Sequence, residues 1–150
     1  MTKGEEIVAA IIERLSVISL VANVFDDREQ NLDVTEVPAI VVRERGDSTV
    51  FSPTQRTYIV TTKIGVEIIV QGRDKHESQD DTEPAITQIR AIQEEVENIL
   101  FHEWETLGGL IFRLVYTGAT VGAANNGQLT TKSRTLNFDA EWHRDVFRNA

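Results

Sequence analysis

Apolar and polar positions alternate with the period of a strand across Thr57–Gln71, TYIVTTKIGVEIIVQ. Tyr58, Val60, Ile64, Val66, Ile68 and Val70 share one parity, and Thr57, Thr61, Lys63 and Glu67 share the other. That alternation predicts a strand with one buried face. Strands usually run about 3 to 10 residues, so this one is long. Gly65 near its middle is expected to mark a bulge or bend. A lone strand cannot hide its apolar face, so the rest of the chain must supply partner strands and a helical cover.

Helical spacing governs two other stretches. Thr2 and Glu5 have the separation of a capping box, which predicts a helix from about Lys3 to about Val17. Ile7, Val8, Ile11, Ile12, Leu15 and Ile18 form its apolar stripe, with Glu6, Ala9, Glu13 and Arg14 off it. The polar face is not basic, which favours packing on a sheet over a membrane-surface or partner-binding helix. A second helix is expected from Thr82-Glu83-Pro84 to about Phe101, since proline and acids suit a first turn. Its apolar residues, Ala85, Ile86, Ile89, Ile92, Val96, Ile99 and Leu100, fill an arc of about 140°.

The remaining strands are shorter or less regular. Residues 20–25 are a candidate short strand, followed by an acid-rich loop over 26–36. Val37-Pro38-Ala39-Ile40-Val41-Val42 is continuously apolar, as a strand covered on both faces would be. Residues 43–48 are expected to break it, leaving 50–55 as loop or a short extension. The connection to Thr57–Gln71 is short, so that pair should be antiparallel. Residues 72–81 form a charged loop, and Gly108-Gly109 a turn after Trp104 and Leu107. Residues 110–117 have the β-branched and aromatic content of a strand. The glycine-rich residues 118–128, with the turn signal Asn125-Asn126-Gly127, are expected to be a mobile hairpin tip. In residues 129–142 the alternation returns, with Leu136, Phe138, Ala140 and Trp142 on one side, and the tail 143–150 should fray. This order predicts an α+β fold: an antiparallel sheet of about four main strands with two helices packed on one face.

A length of 150 residues suggests one domain, 1–150, large enough for a core without staples. With no cysteine, the chain cannot form disulfides, thiolate metal sites or a cysteine nucleophile. No apolar run approaches a membrane span of about 18 residues, and the N-terminus does not read as a signal peptide. Acidic residues outnumber basic ones by 24 to 15, a formal net charge of −9. Non-specific attraction to nucleic acid is not expected of such a chain.

Catalytic and metal chemistry find little to stand on. His76, His102 and His143 lack metal-ligand spacing, and surface histidines are the better reading. Asp26-Asp27 and Asp80-Asp81 lack the calcium-loop spacing and read as solvated acids. No serine sits in a nucleophile-elbow setting. The glycines of 118–127 lie between strands and do not open a helix, so they are not a phosphate cradle. The chain is therefore expected not to be an enzyme, with no metal and no cofactor. Basic residues gather loosely as Arg43, Arg45, Arg56 and Lys63 around the first hairpin and as Lys132 and Arg134 on the last strand. They read either as a solvated face with cross-strand pairs or as subunit-interface residues meeting the acids of a neighbour.

The order of elements, with Glu36-Val37-Pro38-Ala39-Ile40-Val41-Val42 as its sharpest piece, resembles the tail terminator proteins of long-tailed phages, the lambda-type minor tail protein U family. The resemblance covers about residues 5–143. It implies a structural protein that forms a homo-oligomer, a hexameric ring, on the tail tube protein. Such a ring ends tube polymerisation and offers a head–tail joining surface to a connector protein, and DNA only passes through its lumen. It also implies no membrane partner, and location in the virion after assembly in the host cytoplasm. Another neck, head-completion or tube protein is the alternative within that class. A cellular small-ligand-binding α+β domain, with an apolar pocket and converging polar groups, is the alternative outside it.

Overall fold

A computed structural model describes residues 2–27, 36–72, 83–101, 105–126 and 129–145. Helix α1 (Lys3–Leu15) opens on the expected capping box. The Glu5 N–H donates to Thr2 Oγ1 at 3.1 Å, and the Thr2 N–H donates to Glu5 Oε2 at 3.1 Å. The helix stops two residues short of the expected end. Ser16 returns its hydroxyl to the Ile12 carbonyl at 2.6 Å, a local bond that competes with helix continuation. Ile7, Val8, Ile11 and Leu15 are buried, as is Ile18 beyond the helix end.

Four long strands and one short one follow. Strand β1 (Asn23–Asp26) begins three residues later than expected and pairs in parallel with β2 (Ala39–Ser52). Its start is fixed by the neighbouring strand: Ala22 N–H donates to the Pro38 carbonyl at 2.7 Å, and Asn23 Nδ2 to the Glu36 carbonyl at 3.3 Å. Strand β3 (Thr57–Gln71) has the expected bounds and is antiparallel to β2, as predicted. Strands β4 (Arg113–Asn126) and β5 (Leu129–Asp145) form the second hairpin. The sheet order is β1-β2-β3-β5-β4, antiparallel except at β1. The fold is α+β, with one short strand more than the four expected.

Four further features depart from the sequence reading. The polar residues 43–48 do not break β2, which pairs with β3 from Ala39↔Ile69 to Ser52↔Thr57. Their polarity reflects exposure, because the strand from Glu44 to Phe51 lies on the solvent side of the core. The bulge expected at Gly65 falls on β2 instead, where the register slips between Glu44 and Gly46. Gly65 serves that bulge from across the ladder. A Cβ there would stand 3.0 Å from Arg45 Cδ and 3.3 Å from Thr135 Cγ2, so the bare backbone makes room for the arginine stem. Finally, residues 118–126 are strand, not loop. β4 passes through a bulge between Tyr116 and Gly118, with Gly118 at φ 142°, and stays paired to Asn126↔Leu129. β5 likewise continues past Trp142 to Asp145, against Thr57, where a frayed tail was expected. The far part of that tail, 146–150, lies outside the described residues, as do Trp104, most of the 72–81 loop and Thr82.

Even-numbered residues of β3 and β5 face both helices. Ile64, Val66, Ile68, Val70, Leu136, Phe138 and Ala140 join the α1 stripe and α2 (Glu83–Leu100) in one buried cluster. Thr62 lies in the same row, fully buried, and its hydroxyl accepts the Trp142 indole N–H at 2.9 Å. The sheet's other face carries a smaller cluster of Val37, Ala39, Val41 and Ile69, with Phe25 against it. Both faces of Ala39–Val42 are therefore covered, as its unbroken apolar run predicts. The turn at Gly108-Gly109 is present, with positive φ at Leu107, Gly108 and Gly109. Just before it, buried Glu105 meets Arg14 Nη1 at 2.7 Å and the Leu107 N–H at 2.8 Å, tying this segment to α1.

Candidate interaction surfaces

The six basic candidates fall in three separate places. Arg43, Arg45 and Lys63 lie on the face away from the helices. Arg43 pairs with Glu67 across the strand and with Asp27 at 3.7 Å. Lys63 faces Asp139 at 3.7 Å, Arg45 Nη1 donates to Asn137 Oδ1 at 3.4 Å, and Arg113 meets Glu141 at 3.3 Å. This face is a ladder of cross-strand polar pairs, each contributing about 0.2–1 kcal/mol. Arg56 stands apart, exposed in the β2–β3 turn at φ 55°.

Lys132 and Arg134 lie on the opposite, helix-facing side. Strand register alone puts them there, in line with Val70 and Ile68 of β3. Arg134 Nη1 donates to Gln93 Oε1 of α2 at 2.7 Å, and Gln93 Nε2 donates on to Glu97 at 3.0 Å. Beside this bridge a groove of about 490 Å³ opens between α2 and the β4–β5 hairpin. Its apolar walls are Ile86, Ile89 and Val121, and its cations are Arg90, Lys132 and Arg134. Val121 is 78% exposed and Ile86 39% exposed, although Ile86 belongs to the apolar arc of α2. Arg90 was not among the sequence candidates. The signal for it was its place next to Ile89 and four residues after Ile86, at the margin of that arc.

The other end of the same sheet face is aromatic and carries charges of both signs, Asp47 beside Arg144. Phe51 and Tyr58 pair across the β2–β3 hairpin with ring centroids 5.1 Å apart, and both are exposed. The parity of β3 assigns Tyr58 to the buried side, but the helical cover does not extend that far. A shallow pocket of about 290 Å³ beside them is lined by Asp47, Thr49, Tyr58, Val60, Trp142 and Arg144. Lys3 of α1 lies over the Trp142 ring at 5.5 Å. Gly4 lets the helix approach so closely that an added Cβ would overlap the Glu44 carboxylate.

Burial holds the Glu44 carboxyl above its ordinary pKa, and Asp47, Glu5 and Asp27 raise it further. A carboxyl whose folded pKa exceeds its unfolded value leaves the fold most stable while it is protonated, below the ordinary carboxylate range. That contribution is lost as pH rises through the raised pKa. Glu44→Gln is therefore expected to flatten the pH dependence of Tm across that window and to raise Tm slightly at neutral pH. Melts of the variant and the parent over a pH series check this, and a lower neutral Tm would contradict it.

His143 stacks on Phe112 with ring centroids 5.2 Å apart and lies 3.9 Å from Glu141. His76, His102 and Asp80-Asp81 lie outside the described residues. Asp26 ends β1, and Asp27 just beyond it meets Arg43. Among the described residues, no group of three His, Asp or Glu side chains is placed to hold a metal ion. No protein-family model matches the chain, and a search of the curated proteins finds no match.

Proposed function

We propose that this chain is a structural protein of a phage or prophage virion, which caps the tail tube as a hexameric ring, ends tube polymerisation and forms the head–tail joining surface. The observation that carries the reading is the sheet's helix-facing side, whose two ends bear unlike exposed surfaces: an aromatic pair on the β2–β3 hairpin and a cationic apolar groove beside α2. A closed ring requires two different, complementary patches on each subunit. The element order and the long hairpins agree with the resemblance to tail terminators. The polar ladder on the far face, in a chain of net charge −9, suits a wall past which DNA slides without adhering.

The groove beside α2 also favours a second reading, a small-ligand-binding domain, because apolar walls and converging cations could hold an amphipathic anion. Native mass across a concentration series, with and without magnesium, separates the two. The ring reading predicts a sixfold particle that appears as closed rings in electron micrographs. A chain that stays monomeric up to its solubility limit, and also with tube protein added, overturns it.

A further inference from the structure

On the far face of the sheet Arg43, Lys63 and Arg113 each meet a carboxylate across the ladder. The helix-facing side differs. There Arg90, Lys132 and Arg134 line one groove of about 490 Å³, and among the described residues no carboxylate lines it with them. In a chain with 24 acids to 15 bases, that gathering of cations departs from the rest of the sheet. Arg134 is held in place by Gln93 Oε1 at 2.7 Å, a neutral partner, and the Glu97 carboxylate lies one hydrogen bond further on, behind Gln93. Lys132 is two residues from Arg134 on the same side of β5, roughly 7 Å at strand rise. Arg90 is exposed on α2, one turn after Ile86. Between the cations, buried Ile89 supplies an apolar floor, and exposed Ile86 and Val121 stand at the sides. Val121 lies opposite Arg134 in the ladder, so apolar and cationic groups adjoin.

A volume of this size is usual for a small-molecule site, which is mostly apolar with a few placed polar groups. An arginine fork matches two oxygens of a carboxylate or phosphate, and lysine adds a point charge. Three positive charges are more than one carboxylate balances. A phosphate monoester carries about −1.5 to −2 at neutral pH and offers three acceptor oxygens. We infer that the groove beside α2 binds a phosphate monoester carried on an apolar body, with the phosphate on Arg90, Lys132 and Arg134 and the body on Ile86, Ile89 and Val121. A single copy of the chain holds every residue of this site, so it stands or falls separately from the ring and its native-mass test.

Isothermal titration calorimetry of the full chain with octyl phosphate, below its micelle concentration, tests the assignment. One ligand should bind per chain, about tenfold or more tighter than octanoate, which brings a similar tail and a single charge. Octyl glucoside and inorganic phosphate each lack one half of the ligand and should bind about a hundredfold more weakly. Arg90→Gln and Lys132→Gln should each weaken octyl phosphate about tenfold, through loss of one charge-assisted contact, and keep the parent Tm. Lys63→Gln removes the same charge from the far face and should leave binding unchanged. Vesicles of phosphatidylcholine with phosphatidic acid separate a free ligand from a lipid surface, and the chain should stay in solution beside them. The site is overturned if octyl phosphate does not bind, or if octanoate, octyl glucoside or inorganic phosphate binds as tightly. It is equally overturned if Arg90→Gln and Lys132→Gln change nothing, if Lys63→Gln weakens binding as much as they do, or if the chain binds only the vesicles.

Discussion

Ile92→Asp is expected to leave the chain unfolded at room temperature. Ile92 is fully buried at the middle of α2, within the cluster that both helices share with the sheet. Its replacement removes about 2–3 kcal/mol of apolar burial and sets a carboxylate in a site lined by aliphatic side chains. A buried charge without a partner costs roughly 3–5 kcal/mol more. The sum rivals the total stability of about 5–15 kcal/mol typical of a domain. Far-UV circular dichroism with a thermal ramp is the measurement. A cooperative melt near the parent midpoint would mean that α2 does not sit on the sheet as described. Ile92→Val is the matched control, since it removes one methylene at about 0.5–1.5 kcal/mol.

Phe138→Ala should have the next largest effect, about 3–5 kcal/mol. Phe138 is 1% exposed, and its ring meets Phe101 edge-on at 5.8 Å and Tyr116 at 5.6 Å. Phe101 and Tyr116 also touch each other, at 4.7 Å, so the three rings form one cluster where α2 ends over the β4–β5 hairpin. Such ring pairs contribute about 0.5–1.5 kcal/mol beyond their area. Phe101 and Tyr116 are partly exposed, so they can close over only part of the space left behind. At about 2–4 °C per kcal/mol for a domain of this size, Tm should fall by roughly 10 °C. Urea unfolding of the variant should give an unchanged slope and an earlier midpoint. A Tm within about 2 °C of the parent would remove Phe138 from the core.

What could be read from the sequence followed from where each segment stands relative to the core. α1, β3 and α2 straddle the boundary between core and solvent, so their periodicity is complete, and the capping box fixes one end. The outer half of β2 has little core to face. Its residues from Glu44 to Ser48 are polar for the reason loop residues are, and only pairing with β3 makes them strand. In β4, glycine and alanine from Gly118 onward leave too little side-chain contrast for a period of two to register. β1 depends on a parallel partner more than ten residues away, a contact that no local pattern encodes. The candidate surfaces were partly visible for the same reason. Lys132 and Arg134 could be picked out as charges on a strand, but their meeting with Arg90 arises because α2 lies across β5.

The extra residue in β4 bears on what the sheet can recruit. β4 is an outer strand of fourteen residues paired only to β5, and a long bare margin of this kind invites a foreign strand to add. Thr117 is the residue without a partner in the ladder, and its hydroxyl donates to the Asn137 carbonyl at 3.2 Å. The slip at this point turns the backbone and divides the margin into a short piece before Thr117 and a longer one after it. An incoming strand can align with one piece or the other, not with both. One inserted threonine thus blocks continuous strand addition along this border and limits the protein's tendency to aggregate through it.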